Sequence, residues 1–310
     1  MTRKPRALRP GDLIGVAAPA GPVDEARLRS GAAELERLGF AVRLGDGILE
    51  RRGFTAGSVD NRVDQLHELF EDPEVAAIAC ARGGAGILHL LPHLDRELLR
   101  DNPKLLLGYS DVTLLHLEME RIGLASLHGP MIARELAEGD GAYDPATLHH
   151  ALTGEGAPYA SQPDELLALA AGGAEGVLRG GCLSLLAGAA GTPWGRRGGD
   201  EPTLLFLEDV DEKPYRVDRM LRQLRASGAL QGVTGIVFGD MKGCSPSFED
   251  DYRLEDVLLE ALDGLDGPIA LGLSSGHTAH PNVTLPFGVR ARLECRSGEA
   301  RFSVLEAPVE

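Results

Sequence analysis

Short apolar runs alternate with longer stretches of helical period through the first half of the chain. Leu13 to Ala18, Ala41 to Leu44, Val75 to Ala81 and Leu105 to Gly108 are too short for helices and are predicted as strands. Between them, Asp24 to Leu38 and Asp60 to Phe70 read as helices. In the second of these, Val63, Leu66 and Phe70 fall at i, i+3 and i+7 on one face, behind a cap expected at Asp60. Strands alternating with helices predict a parallel sheet covered by helices, a doubly wound α/β domain.

The pattern changes at about Ala151. In ALTGEGAPYASQPDELLALAAGGAE small residues and proline dominate and no long apolar period survives, so residues 151–177 are expected to form a linker. This divides the chain into an N-terminal α/β domain, 1–150, and a smaller, more mixed domain, 178–310. The latter is assigned strands at Thr203 to Leu207, Gly235 to Phe238, Ile269 to Leu273 and Val289 to Cys295, with helices at Val217 to Ala226 and Leu254 to Leu262.

A chain of 310 residues can bury a core in each of two domains. Its 31 basic and 47 acidic residues leave a net charge of −16, and no Lys/Arg cluster interrupts that balance. Such a surface repels nucleic acid and anionic membranes, so neither is expected as a partner. The apolar run Leu13 to Ala18 is punctuated by Gly15 and Pro19, and no stretch approaches the roughly 18 apolar residues of a membrane span. A cytoplasmic protein is expected. Cys80, Cys182, Cys244 and Cys295 are widely spaced, without a CxxC pair or a Cys/His cluster, and read as reduced, buried thiols. Neither a metal nor an organic cofactor is expected.

The chemistry concentrates in Lys104 to Glu118, KLLLGYSDVTLLHLE, where an apolar strand passes through Gly-Tyr-Ser-Asp directly into an amphipathic helix. A serine in such a turn is pushed out of the sheet beside a helix N-terminus, the layout of a nucleophile elbow. Val112 stands where a G-x-S-x-G motif has its second glycine, and Ser110 as a plain helix cap is the alternative. A serine nucleophile needs a base, and the base a carboxylate. Among the nine histidines, His277 follows an apolar strand in a Gly/Ser-rich turn, with His280 as its rival. His67, His89, His93 and His116 lie on amphipathic helices or their ends, and His149 and His150 are expected to be exposed. For the carboxylate, Glu208 and Asp209 end the strand TLLFL. Side chains alternate along a strand, so one of the two is expected to face solvent, and the pattern alone does not choose. The loop Ala81-Arg82-Gly83-Gly84-Ala85-Gly86 follows another apolar strand. Its glycines let backbone N–H groups approach a substrate as in an oxyanion hole, whereas the spacings of phosphate-binding loops are absent. Arg82 is suited to a substrate carboxylate or to a surface ion pair.

These segments resemble the LD-carboxypeptidases, serine peptidases that include enzymes trimming the murein tetrapeptide in cell-wall recycling. The similarity runs through GDLIGVAAPAG, FTAGSVDNRVDQLHELFEDPEVAAIACARGGAG, GYSDVT, LHGPM, LRGGCLSLL, LLFLEDVDEKPYRVDRML, GHT and NVTLPFG. It implies Ser110 as nucleophile, His277 as base and Glu208 as the triad carboxylate, with oxyanion donors from the backbone of Asp111 and of Gly83 and Gly84. It also implies a flavodoxin-like N-terminal domain carrying the serine, a smaller β-rich C-terminal domain carrying Glu and His, and a homodimer. Ala85 stands where the family commonly has tyrosine in RGGYG, and Cys182 where it commonly has asparagine in GGN. The implied reaction is hydrolysis of an L,D-peptide bond before a C-terminal D-residue, on a small peptide. One alternative is a microcin-immunity-type peptidase acting on a peptidyl-nucleotide amide. Another is a catalytically silent binding protein on the same scaffold.

Overall fold

The computed structural model describes residues 2–162, 165–248, 252–296 and 298–310. Its strands are β1 (Leu13–Ala17), β2 (Ala41–Leu44), β3 (Val75–Cys80), β4 (Leu105–Gly108), β5 (Ser126–His128), β6 (Leu166–Ala170), β7 (Gly172–Cys182), β8 (Thr203–Glu208), β9 (Val233–Gly239), β10 (Ile269–Leu273), β11 (Leu285–Phe287), β12 (Arg290–Arg296) and β13 (Glu299–Val304). The helices are α1 (Glu25–Arg37), α2 (Val59–Glu71), α3 (Arg96–Asp101), α4 (Thr113–Ile122), α5 (Pro145–Thr153), α6 (Leu183–Ala189), α7 (Pro214–Ala226) and α8 (Leu254–Ala261). One compact unit comprises Met1–Ala157, His280–Gly288 and Ala307–Glu310, and a second comprises Pro158–Ala279 and Val289–Glu306.

The first unit holds a six-stranded sheet in the order β11-β5-β4-β3-β1-β2. Strands β1 to β5 pair in parallel, and β11 closes the edge antiparallel to β5. The order 2-1-3-4-5 is that of flavodoxin-like doubly wound folds, in which the chain reverses direction between β1 and β3 and opens a crevice at the carboxyl ends of those strands. Every residue of β3 is buried, which is why it reads as an unbroken apolar run. Helix α1 begins where the Asp24 side chain accepts the Arg27 N–H. Helix α2 is capped by Ser58, which accepts the Asn61 N–H, and not by Asp60 as expected. Ser58 has the extended backbone of a cap, and Asp60 already lies within the first turn.

The second unit is a closed barrel in the order β10-β6-β13-β12-β7-β8-β9. Strands β7 to β10 run parallel, and β6, β12 and β13 complete the ring antiparallel. Most of the stretch read as a linker belongs to elements: α5 ends inside it at Thr153, β6 lies within it and β7 starts at Gly172. Residues 163 and 164 lie outside the described residues. Two further expectations are corrected. His150 is buried on α5, with Nδ1 at 3.0 Å from the Glu155 carbonyl. Glu208 and Asp209 are both buried, because the strand ends at Glu208 and alternation no longer governs its successor.

Candidate active site

At the end of β4 the chain leaves the sheet through Tyr109 in extended conformation and turns at Ser110, whose φ is 65°. A non-glycine residue in the left-handed region costs about 1–3 kcal/mol unless its surroundings impose it. Here they do. A Cβ on Gly108 would stand 3.0 Å from Cys80 Cβ and 3.1 Å from a Val112 methyl, so only glycine fits where the strand turns out. A short 3-10 turn, Ser110–Val112, then leads into α4. Behind the turn, His116 is buried with Nε2 at 2.8 Å from the Gly108 carbonyl and Nδ1 at 2.9 Å from Ser126 Oγ. Nε2–H therefore donates to the carbonyl and Nδ1 accepts from the hydroxyl. Burial pulls the imidazole pKa down to about 4. Tyr109 donates its hydroxyl to Glu135 Oε1 at 2.7 Å, and Glu135 Oε2 accepts the Met131 N–H, tying the turn to the π-helical segment Ile132–Leu136.

The glycine-rich loop after β3 lies directly against this turn. A Cβ on Gly83 would stand 2.7 Å from Ser110 Cβ and 3.0 Å from Ser110 Oγ. The Gly83 carbonyl accepts the Gly21 N–H at 3.0 Å. Asp111, buried beside the serine, accepts the Ile87 N–H at 2.9 Å, and burial raises its carboxyl pKa. Ser110, Asp111 and Gly83 are thus brought together in the first unit. Arg82 is exposed and donates to the Pro22 carbonyl at 2.9 Å.

In the second unit, Glu208 ends β8 completely buried. Its Oε2 accepts both the Nδ1–H of His277 at 2.8 Å and the His277 backbone N–H at 3.0 Å. This fixes the ring orientation and leaves Nε2 as its basic nitrogen. The glycines nearby are required by contact: a Cβ on Gly276, at φ 82°, would stand 2.6 Å from Glu208 Cδ, and one on Gly239 would stand 2.8 Å from Glu208 Cβ. Asp240, at the end of β9, accepts from Thr278 Oγ1 and from the Ala279 N–H, holding the turn that carries His277. Asp209 points elsewhere, accepting the Ser184 N–H at 2.7 Å at the start of α6. His280 is exposed. Cys182 occupies the cap position of α6, and burial pushes its thiol pKa well up, which suits packing and not nucleophilic attack.

Two groups here escaped the sequence reading, Asp240 and Arg62, whereas His116 was read as a histidine of an amphipathic helix and is buried on α4. Arg62 is 1% exposed and donates to three backbone carbonyls. Its spacing from Leu66 and Leu69, i+4 and i+7, placed it on the buried face of α2, the signal that could have found it. Among the described residues, no group of three or more His, Cys, Asp or Glu is placed to hold a metal ion, and no helix is long and apolar enough to cross a membrane.

Comparison with known proteins gives a consistent picture. Residues 14–129 match the LD-carboxypeptidase N-terminal domain and residues 175–293 the LD-carboxypeptidase C-terminal domain. The chain is 38% identical to a probable murein peptide carboxypeptidase of Bacillus subtilis over 99% of its own length and 95% of that protein. The solved muramoyltetrapeptide carboxypeptidase from Oxalobacter formigenes superposes with a TM-score of 0.82 at 31% identity, covering 96% of this chain and 100% of that one. The microcin C7 self-immunity protein of Escherichia coli is 28% identical over 92% of this chain and 91% of its own.

Proposed function

The chain belongs to the LD-carboxypeptidase family, and from that premise we propose that it is a serine carboxypeptidase that hydrolyses the L,D-peptide bond before a C-terminal D-residue. Its substrate is a murein tetrapeptide, from which it releases D-Ala. The observation that carries this reading is Ser110 itself, held at φ 65° between strand and helix with Gly83 so near that a Cβ there would stand 3.0 Å from its Oγ.

Ser110 Oγ attacks the scissile carbonyl carbon while its proton passes to Nε2 of His277, and Glu208 supports the imidazolium through Nδ1–H. The carbonyl oxygen, now negative, is held by the backbone N–H groups of Asp111 and of Gly83 and Gly84. Collapse of the tetrahedral intermediate breaks the C–N bond, and His277 returns the proton to the departing amine of D-Ala. Water, deprotonated by His277, then attacks the acyl-serine, and the hydroxyl of Ser110 is restored. Arg82 binds the free carboxylate of the terminal D-residue. The enzyme acts as a cytoplasmic homodimer, with the serine and the Glu-His pair contributed by different domains.

Similarity to the microcin self-immunity protein supports a second reading, hydrolysis of a peptidyl-nucleotide amide by the same residues. Identity favours the carboxypeptidase reading, 38% against 28%. Mass spectrometry of a murein tetrapeptide incubated with the protein decides. Loss of a single D-Ala is expected, and an untouched tetrapeptide beside a cleaved aminoacyl-nucleotide would transfer the assignment to the second reading.

A further inference from the structure

The peptide group joining Gly86 to Ile87 is gripped at both ends by buried charges. Its carbonyl accepts from Arg62 Nη1 at 3.0 Å, and its N–H donates to Asp111 Oδ2 at 2.9 Å. Arg62 is 1% exposed and Asp111 4%. Two ionisable groups are taken out of water only where hydrogen bonds offset the loss of hydration, so their burial here points to a place where backbone position matters. The same Arg62 Nη1 donates to the Pro19 carbonyl at 2.8 Å, and Nε donates to the Ser58 carbonyl at 3.1 Å. One guanidinium therefore joins the loop after β1 to the loop after β3, the two strands at which the sheet reverses direction.

The grip admits little play. Gly86 has φ 120°, and a Cβ there would stand 2.8 Å from Arg62 Nη1 and 2.7 Å from Thr55 Cγ2. Three residues upstream, Gly83 lies against Ser110 and is tied to Gly21 in the loop that Arg62 also holds. Asp111 follows Ser110 directly, so its side chain anchors the glycine-rich loop while its own backbone belongs to the serine turn.

We propose that Arg62 and Asp111 are paired positioning residues, which set the glycine-rich loop at its working distance from Ser110 by clamping the Gly86–Ile87 peptide between a cation and an anion. The proposal rests on the serine-peptidase reading above. It makes the oxyanion donors of Gly83 and Gly84 dependent on a residue of α2 that touches no substrate.

The test compares Arg62→Lys, Arg62→Met, Asp111→Asn, the Arg62→Met/Asp111→Asn pair and Ser110→Ala, each with a thermal melt, on murein tetrapeptide. Losing one oxyanion donor outright costs about 100- to 1,000-fold in kcat, so displacing the loop should cost roughly 10- to 100-fold. KM should stay within about twofold, because the loss falls on the transition state. Inactivation by a fluorophosphonate, which needs the oxyanion donors but no peptide recognition, should slow in parallel. The double variant should be little worse than its poorer parent, since both residues hold one peptide. If Arg62→Met fails to fold, the gentler Arg62→Lys and Asp111→Asn decide. Folded Arg62→Lys and Asp111→Asn enzymes with wild-type kcat and only a lowered Tm would make the pair structural and overturn the proposal. Turnover by Ser110→Ala would instead remove the reading beneath it, so the two failures are distinguishable.

Discussion

A methyl group added at Gly83 tests whether the glycine-rich loop and the serine turn work as one surface. In Gly83→Ala the new Cβ would stand 2.7 Å from Ser110 Cβ, 3.0 Å from its Oγ and 3.3 Å from the Tyr109 carbonyl. Carbon atoms settle about 3.5–4.0 Å apart, so loop and turn must separate by roughly 1 Å. Ser110 Oγ can rotate aside, but Ser110 Cβ and the Tyr109 carbonyl are fixed to the backbone, so backbone has to move. A misplacement of about 1 Å near reacting groups can cost on the order of 100-fold in rate, and overpacking of this kind about 1–3 kcal/mol in stability. Gly83→Ala should therefore lose about two orders of magnitude in kcat on murein tetrapeptide, with a lower Tm. Gly188→Ala provides the control. That glycine is exposed within α6 with nothing within 4 Å of its added Cβ, so it should keep wild-type kcat and melt no lower. A Gly83→Ala enzyme with wild-type kcat and Tm would refute the close packing on which the oxyanion assignment depends.

Three further outcomes follow from the site. Glu208→Gln should reduce kcat less than His277→Ala, since it weakens support for the imidazolium but leaves nucleophile and base in place; a loss equal to that of His277→Ala would refute that ranking. Cys182→Ser should retain most of the activity, because a buried thiol with a raised pKa is a packing group; loss as deep as that of Ser110→Ala would point to a thiol nucleophile. His116, with its pKa lowered from 6.5 to about 4, stays neutral in the fold where the unfolded chain binds a proton. Stability should accordingly fall as pH drops from about 6.5 to 4, by roughly 3 kcal/mol in all, and then level off. Acid melts of His116→Gln should lack that component, and a curve superimposable on wild type would show that His116 does not cause it.

The sheet of the first unit was readable because its strands are buried on both faces and appear as apolar runs such as Val75 to Cys80. The barrel was harder for an equally physical reason. Strand β7 contains Gly176, where a Cβ would meet the Pro202 carbonyl at 2.7 Å, and Gly180, where one would stand 1.8 Å from the Phe206 carbonyl. Close backbone approach demands glycine, and a glycine-rich strand has the composition of a linker. Ser110 was signalled by strand and helix meeting at a tight turn. Glu208 could not be separated from Asp209 by alternation, since the strand stops between them, and it was the family resemblance that pointed to Glu208. Asp240 gave no signal at all, because its partners Thr278 and Ala279 are remote in sequence and only the turn brings them to it.

The central claim is that Ser110 is the nucleophile and acts as one unit with His277. It is tested most directly by the turnover of folded Ser110→Ala, His277→Ala and double-mutant enzymes on murein tetrapeptide, with released D-Ala followed by mass spectrometry. Each single substitution should lower kcat by several orders of magnitude, and the double mutant should be little worse than either, because groups that act together are not additive. A correctly folded Ser110→Ala enzyme that releases D-Ala at close to the wild-type rate would contradict the account.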